Sequence, residues 1–416
     1  MLQLLKPVQI GLASCALLSP FTVVSGNGEE PDSVMLKNGG EKTGRIIFED
    51  EEHLVLRQGS HELEIDRAKI ESVESLERSL AYLLKHHLVV KDSDVRSLAD
   101  SSKLAKERGL PGIADLFNLM VLLADPENEK AHEALGHRRR SREWTAQLDG
   151  KWYLWRELIE LRRDWNYAWQ FETAHYSLRT NLPLKEAIQS LLDLESYYLF
   201  FHETLGSPIG MRGVAKPLKV NIFGDEKSYV QLGDNRPGWY DTNSRTVNVN
   251  GTNPYRRLSF MHEATHQLFE VESNGLLGAN SRAPAWLGEG MAEYLANSAE
   301  GAPGRARFSA GRFANGHLYN HSKANKPESL DEILSLSVAD FLSSKPAPLR
   351  YAQSYTLVLY CMHGEGERYR ADFIEFCQRA IEGKGSPTNF KKLVTKNSKE
   401  FEKGWTAYVS NLTGGR

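Results

Sequence analysis

His262-Glu263-Ala264-Thr265-His266, followed by Trp286-Leu287-Gly288-Glu289-Gly290-Met291-Ala292-Glu293-Tyr294, decides how the chain is read. On a helix, residues four apart lie about 40° apart around the axis and about 6 Å apart along it. His262 and His266 therefore present two imidazoles to one point, and the pattern reads as a zinc site with its own general base, Glu263. Glu289 is a candidate third ligand, which leaves a fourth position open. Three protein ligands with an open position mark a catalytic zinc site, whereas a structural site is usually closed by four. Without a metal, apolar helices carrying these ionisable groups would bear the cost of buried, unpaired charge.

The surroundings support this reading. His-Glu dipeptides begin at 61, 132, 202 and 262, and only the last has a second His four positions on. Leu258, Met261, Ala264, Thr265, Leu268 and Phe269 form an apolar helical face around the motif. The bland reading of the same residues is a helix with two surface histidines.

Together the two segments resemble the gluzincin metallopeptidases, in which a second helix with a Trp-Leu-Asn-Glu-Gly-like run completes the zinc site. The matching run is Trp286-Leu287-Gly288-Glu289-Gly290, so the resemblance gives Glu289 the ligand role. It makes Glu293, one turn on, the carboxylate that orients a ligand His, as outer partners of metal-bound imidazoles do. Residues 267–288 separate His266 from Glu289, a longer spacing than in aminopeptidase-like members, and the excess falls in the Gly/Asn/Ser-rich run 273–281. The metzincin pattern fails, because it needs Gly where Phe269 stands and His where Glu272 stands.

Tyr351-Ala352-Gln353-Ser354-Tyr355 looks like the start of the helix that carries a catalytic Tyr in aminopeptidase-like gluzincins. By that resemblance Tyr351 donates a hydrogen bond to the oxyanion, with Tyr355 as the fallback. The resemblance implies zinc-dependent hydrolysis of a peptide or protein substrate, with Glu263 moving the proton from water to the leaving amine. The Gly-x-Met-Glu-Asn signature that captures a free amino terminus is absent, which leaves an endopeptidase as the default. The strand Arg245–Asn250 is read as an edge that pairs with extended substrate. Competing readings are a catalytically inactive metal-binding domain and an envelope interaction or scaffold protein.

Residues 1–26 read as an export signal: Lys6 gives a positive start, an apolar stretch follows, and Val23-Val24-Ser25-Gly26 offers small residues for cleavage. A lipid anchor on Cys15 is the lesser alternative, and either reading exports the protein. Residues 33–76 alternate in short strands and resemble small Sm-like or SH3-like barrels, an envelope-association module by that resemblance. Residues 77–150 read as a helical spacer. Residues 165–415 read as the zincin-like domain, with Trp169–Thr180 as its first strand and Leu184–Thr204 as a long helix. The expected class is α+β, a small mixed sheet with an active-site helix and a helical C-terminal lobe. The stretch from about 170 to 415 looks like the bacterial DUF1570 proteins.

The formal charge of -3 excludes a nucleic-acid footprint. The basic run Arg138–Arg142 reads as a solvated helix end or an interdomain contact. Cys361 and Cys377 read either as a disulfide or as two buried thiols. His317 and His321 read as cleft-rim or surface residues. Neither the oligomeric state nor the identity of the substrate is legible.

Overall fold

Short alternating runs with polar turns build the first unit of the computed structural model, which describes residues 32–414 apart from 50–51, 60, 231–235, 276–282 and 343–346. The export signal expected at 1–26, Cys15 included, lies outside the described residues. Strands β1 (Asp32–Leu36), β2 (Glu41–Glu49), β3 (His53–Gln58), β4 (His61–Asp66) and β5 (Ile70–Glu74) form an antiparallel sheet in the order β4-β3-β2-β1-β5. Val34, Leu54, Leu56, Ile65 and Ile70 give it a small core of its own. The sheet is open: among the described residues no ladder joins β4 to β5. Strand β5 escapes the sequence reading because Glu71, Ser72 and Glu74 mask its two apolar residues, Ile70 and Val73.

Four helices follow: α1 (Leu76–His87), α2 (Val95–Glu107), α3 (Pro111–Ala124) and α4 (Glu129–Ala134). Side chains of Ser75, Asp94 and Asn128 cap α1, α2 and α4, each accepting a backbone N–H. The helical reading of 77–150 holds as far as α4 and fails beyond it, because 138–154 is a meander of β6 (Arg138–Arg140), β7 (Glu143–Leu148) and β8 (Lys151–Leu154). The basic run is thus a strand and a turn, not a helix end. Ser141 and Arg142 adopt left-handed backbone, φ 49° and 79°, and reverse the chain. Arg138 and Arg140 lie over the Trp152 ring and Arg139 over Trp144, an attraction local to the hairpin that helix periodicity does not report.

After α5 (Trp155–Leu161) comes the second large sheet: β9 (Trp169–Glu172), β10 (Tyr176–Thr180), β11 (Leu218–Phe223), β12 (Gly238–Asp241) and β13 (Thr246–Asn250). Its order is β12-β13-β11-β10-β9, parallel through β10, β11 and β13, with an antiparallel strand at each edge. Two expectations are corrected here. Trp169–Thr180 is a hairpin, not one strand, because buried Glu195 captures its corner: it accepts from the His175 N–H at 2.9 Å and stands 2.7 Å from His175 Nδ1. The edge strand on that side of the sheet is β12; Thr246–Asn250 is an inner strand flanked by β11 and β12.

Helix α6 (Leu184–Phe201) connects β10 to β11, and α7 (Glu226–Val230) precedes β12. Helices α8 (Arg256–Glu272) and α9 (Ala285–Ala296) follow, then a ribbon of β14 (Ala299–Glu300) and β15 (Arg307–Phe308). The C-terminal part is helical: α10 (Asn315–Ser322), α11 (Leu330–Ser335), α12 (Val338–Leu342), α13 (Ala347–His363), α14 (Arg370–Ile381), α15 (Pro387–Phe390) and α16 (Ser398–Thr413). The class is α+β. One apolar core runs from Leu80 to Val409, so residues 77–150 share it with the sheet and helices that follow. Such burial, at about 25 cal/mol per Å² of apolar surface, is what holds the helices in place.

Helix α8 is fixed at two points. Gln267 Nε2 donates to the carbonyls of Lys219 and Arg245, both at 2.9 Å, which ties the helix across two strands. Arg257 pairs with buried Asp193 of α6 at 3.1 Å. Burial pushes the Asp193 carboxyl up to about 6 despite the guanidinium. No described helix is long and apolar enough to cross a membrane.

Candidate metal centre

The apolar face read from the sequence is the face that α8 buries. Met261, Ala264, Thr265, Leu268 and Phe269 are buried, with Leu258 packed at the margin. His262, Glu263 and His266 are consequently turned out of the core, the two histidines toward α9. Helix α9 buries Trp286, Leu287, Met291 and Leu295, and this leaves Glu289 and Glu293 facing α8. The expected ligands converge: His262, His266 and Glu289 each offer one atom within a single cluster. The side chains of the two histidines are 14% exposed and that of Glu289 is 18% exposed, so the cluster is partly open to solvent.

The separations decide what this cluster can hold. His262 Nε2 and His266 Nε2 are 3.1 Å apart, and Glu289 Oε2 is 3.3 Å from the first and 3.5 Å from the second. Ligand atoms placed tetrahedrally about 2.0–2.1 Å from a zinc ion stand about 3.3 Å from one another. Glu289 Oε2 is buried and makes no hydrogen bond, so that the two imidazoles, or a cation held between them, are what answers its charge. The donor set fits a divalent ion that takes imidazole and carboxylate.

Glu293 occupies the orienting position. Its Oε1 is 3.2 Å from His262 Nδ1. With Nδ1 directed at that carboxylate, Nε2 is the nitrogen that His262 turns toward the cluster. Asn297 Nδ2 donates to Glu293 Oε2 at 3.1 Å. Glu263 lies outside the ligand cluster, against the edge strand: a Cβ on Gly238 of β12 would stand 3.3 Å from Glu263 Cγ.

Electrostatics of the cluster favour positive charge. Burial acts to lower the pKa of His262, but Glu289, Glu293 and Glu263 outweigh it and push the imidazole well above its ordinary value. Burial acts to raise Glu289, and His266 and His262 outweigh it and hold the carboxyl well below the usual carboxylate range. Glu293 is likewise held low, by His262 and His317 against burial.

Tyr351, in the second turn of α13, reaches the same cluster. Its ring centroid is 6.3 Å from that of His262, and its other side packs on Phe341 at 5.2 Å. Burial first, then Glu289, Glu293 and Glu263, push the phenol far above its ordinary value, so it stays a donor. Tyr355 is excluded as the fallback. Its hydroxyl donates to Arg312 O at 3.0 Å and accepts from Ala314 N at 2.9 Å, and the residue is fully buried.

The sequence reading misses His317. It places His317 and His321 together at the rim or surface, but the two part company on α10. His321 is buried, with Nδ1 2.7 Å from Thr356 Oγ1 and its ring against Trp405, and burial pushes it down to about 4. His317 Nε2 instead lies 2.8 Å from Glu293 Oε2. No local sequence signal marks that contact; only the fold brings α10 to α9. Cys361 and Cys377 are buried free thiols outside the cluster.

Residues 258–384 match the family described as "Protein of unknown function (DUF1570)". The matched span begins in α8 and ends just beyond α14, so it contains His262, Glu263, His266, Glu289, Glu293, His317 and Tyr351. Among curated proteins, none matches this chain.

Proposed function

We propose that the protein is a zinc-dependent hydrolase of peptide bonds, of gluzincin type on a zincin-like fold, acting as an endopeptidase outside the cytoplasm. The observation that carries the proposal is the cluster of His262 Nε2, His266 Nε2 and Glu289 Oε2 at 3.1–3.5 Å, with a carboxylate oxygen that has no hydrogen-bond partner. These three residues would hold the ion. Bound zinc supplies Lewis-acid polarisation of the scissile carbonyl and acidifies a water molecule.

The remaining work belongs to the chain. Glu263 takes the proton of the attacking water at its carboxylate and hands it to the leaving amine. Tyr351 donates its phenolic hydrogen to the oxygen of the carbonyl under attack. Glu293 holds the His262 ring in register. Among the described residues, strand β12 has no partner on its outer edge, beside Glu263, which suits an extended peptide added as a further strand. The short open sheet of residues 32–74 suits an association module at the envelope.

Glu263→Gln tests the reading. The variant should keep its zinc and lose peptide hydrolysis by about 10²–10⁴-fold, the usual worth of a positioned general base. Undiminished hydrolysis by this variant would remove Glu263 from the chemistry.

A further inference from the structure

His317 is the one histidine near the cluster that the proposed reaction leaves without a role. Its surroundings are specific. Nε2 lies 2.8 Å from Glu293 Oε2, and the ring stacks on Tyr355 with centroids 5.1 Å apart. The Tyr355 hydroxyl is fastened to the backbone of Arg312 and Ala314, the residues that lead into α10. The ring is therefore held from its face by a side chain that is itself fixed at both ends of its hydrogen-bonding capacity. The other nitrogen, Nδ1, is buried and has no hydrogen-bond partner. The one hydrogen bond this ring makes thus runs to Glu293.

Glu293 in turn has both oxygens engaged. Oε1 faces His262 Nδ1 at 3.2 Å, and Oε2 takes His317 at 2.8 Å and Asn297 at 3.1 Å. A carboxylate with only Asn297 on Oε2 can rotate about its side-chain bonds toward the amide. With His317 on the opposite helix, both its position and the plane of the carboxylate are set. We infer that His317 is a positioning residue, acting through Glu293 to hold His262 with Nε2 directed at the metal. The chain of contact crosses three helices: His317 on α10, Glu293 on α9 and His262 on α8. The inference rests on the zinc reading above and adds to it a residue from outside the motif.

The test is zinc affinity of the full chain by competition with a chromophoric chelator, for wild type, His317→Ala, His317→Gln, Glu293→Ala and the double variant His317→Ala/Glu293→Ala. Losing a partner one step removed from a ligand typically costs 10–100-fold in metal affinity, and His317, one step further, should cost roughly tenfold. Gln reaches about as far as the imidazole Nε2 and still donates, but it lacks the aromatic face. His317→Gln should therefore retain most of the affinity that His317→Ala loses, which separates the hydrogen bond from the packing on Tyr355. The double variant should bind zinc no worse than Glu293→Ala, because His317 acts only through that carboxylate.

An unchanged affinity in His317→Ala overturns the assignment, and so do losses that multiply in the double variant. Equal losses in the Gln and Ala variants, with matching losses of thermal stability, overturn it in favour of packing. A wild-type chain that binds no zinc overturns the zinc reading itself, and this inference with it.

Discussion

Gly290 of α9 meets the backbone of Ser354 in α13 so closely that a Cβ on it would stand 2.6 Å from the Ser354 carbonyl oxygen. The glycine next to the candidate ligand Glu289 is therefore a packing requirement. It lets α13 approach α9, and the approach brings Tyr351 over the cluster. Gly288, on the other side of Glu289, meets nothing within 4 Å and carries no such constraint.

Gly290→Ala should push α9 and α13 apart and destabilise the protein by about 1–3 kcal/mol, the range for overpacking a tight contact. Gly288→Ala should leave stability unchanged or slightly raised, since Ala is the better helix former. Chemical denaturation of the two variants checks this, and equal behaviour would contradict the packing account.

Tyr351 and Tyr355 lie one turn apart and should respond differently to loss of the hydroxyl. Tyr351→Phe should lower kcat by about 10²-fold, as removal of one oxyanion donor does elsewhere, with zinc and fold retained. Tyr355→Phe should instead cost roughly 1–3 kcal/mol of stability, because it takes the partner from the part-buried Ala314 N–H and leaves a fully buried ring without its anchor. Steady-state kinetics beside thermal melts separate the two. A Tyr351→Phe enzyme with wild-type kcat would reassign the oxyanion contact.

Ligand loss should follow the geometry. His262→Ala, His266→Ala and Glu289→Ala should each abolish tight zinc retention, since each supplies one of the three convergent atoms. His321→Gln should retain zinc fully, because its imidazole faces Thr356 and Trp405. Elemental analysis after desalting reads all four, and zinc retained by Glu289→Ala would demote Glu289.

Acid should weaken the fold through buried histidines. Burial first, then the neighbouring Arg305, push His87 down to about 4, with Asp92 opposing and His86 assisting. Its folded pKa lies below the unfolded value, so its contribution is complete above about pH 6.5 and is lost as pH falls toward 4. His137 and His321 are pushed down to about 4 by burial and add to the same window. His87→Phe keeps the edge contact with Phe117 and removes the proton uptake. Denaturation midpoints between pH 4 and 7 should fall less steeply in this variant, and an unchanged slope would show that His87 is not buried neutral.

Much of the site was legible because helix geometry turns sequence spacing into distance. His262 and His266 are brought together by one helical period, and the apolar positions around them predict which face α8 buries. Glu289 and Glu293 were legible through the pattern around them, which marks a second helix of the same polarity. What was illegible depends on contacts between distant segments. His317 reaches Glu293 only because α10 and α9 both pack on α13. Strand β12 is the edge because four residues, Gly238–Asp241, pair outside β13, and so short a run has too little periodicity to announce itself. The corner in Trp169–Thr180 is set by Glu195, a buried carboxyl side chain on α6, and β-propensity along the strand cannot report it. The Arg138–Arg142 run is not legible from its charge pattern, because Trp144 and Trp152, which hold it in a hairpin, lie outside it.

The most direct measurement is the zinc content of the purified protein after loading and desalting, by elemental mass spectrometry. The account predicts about one zinc per chain, falling to none when His262 and His266 are both replaced by Ala. No retained zinc in the wild type, or retention that survives the double replacement, would contradict it.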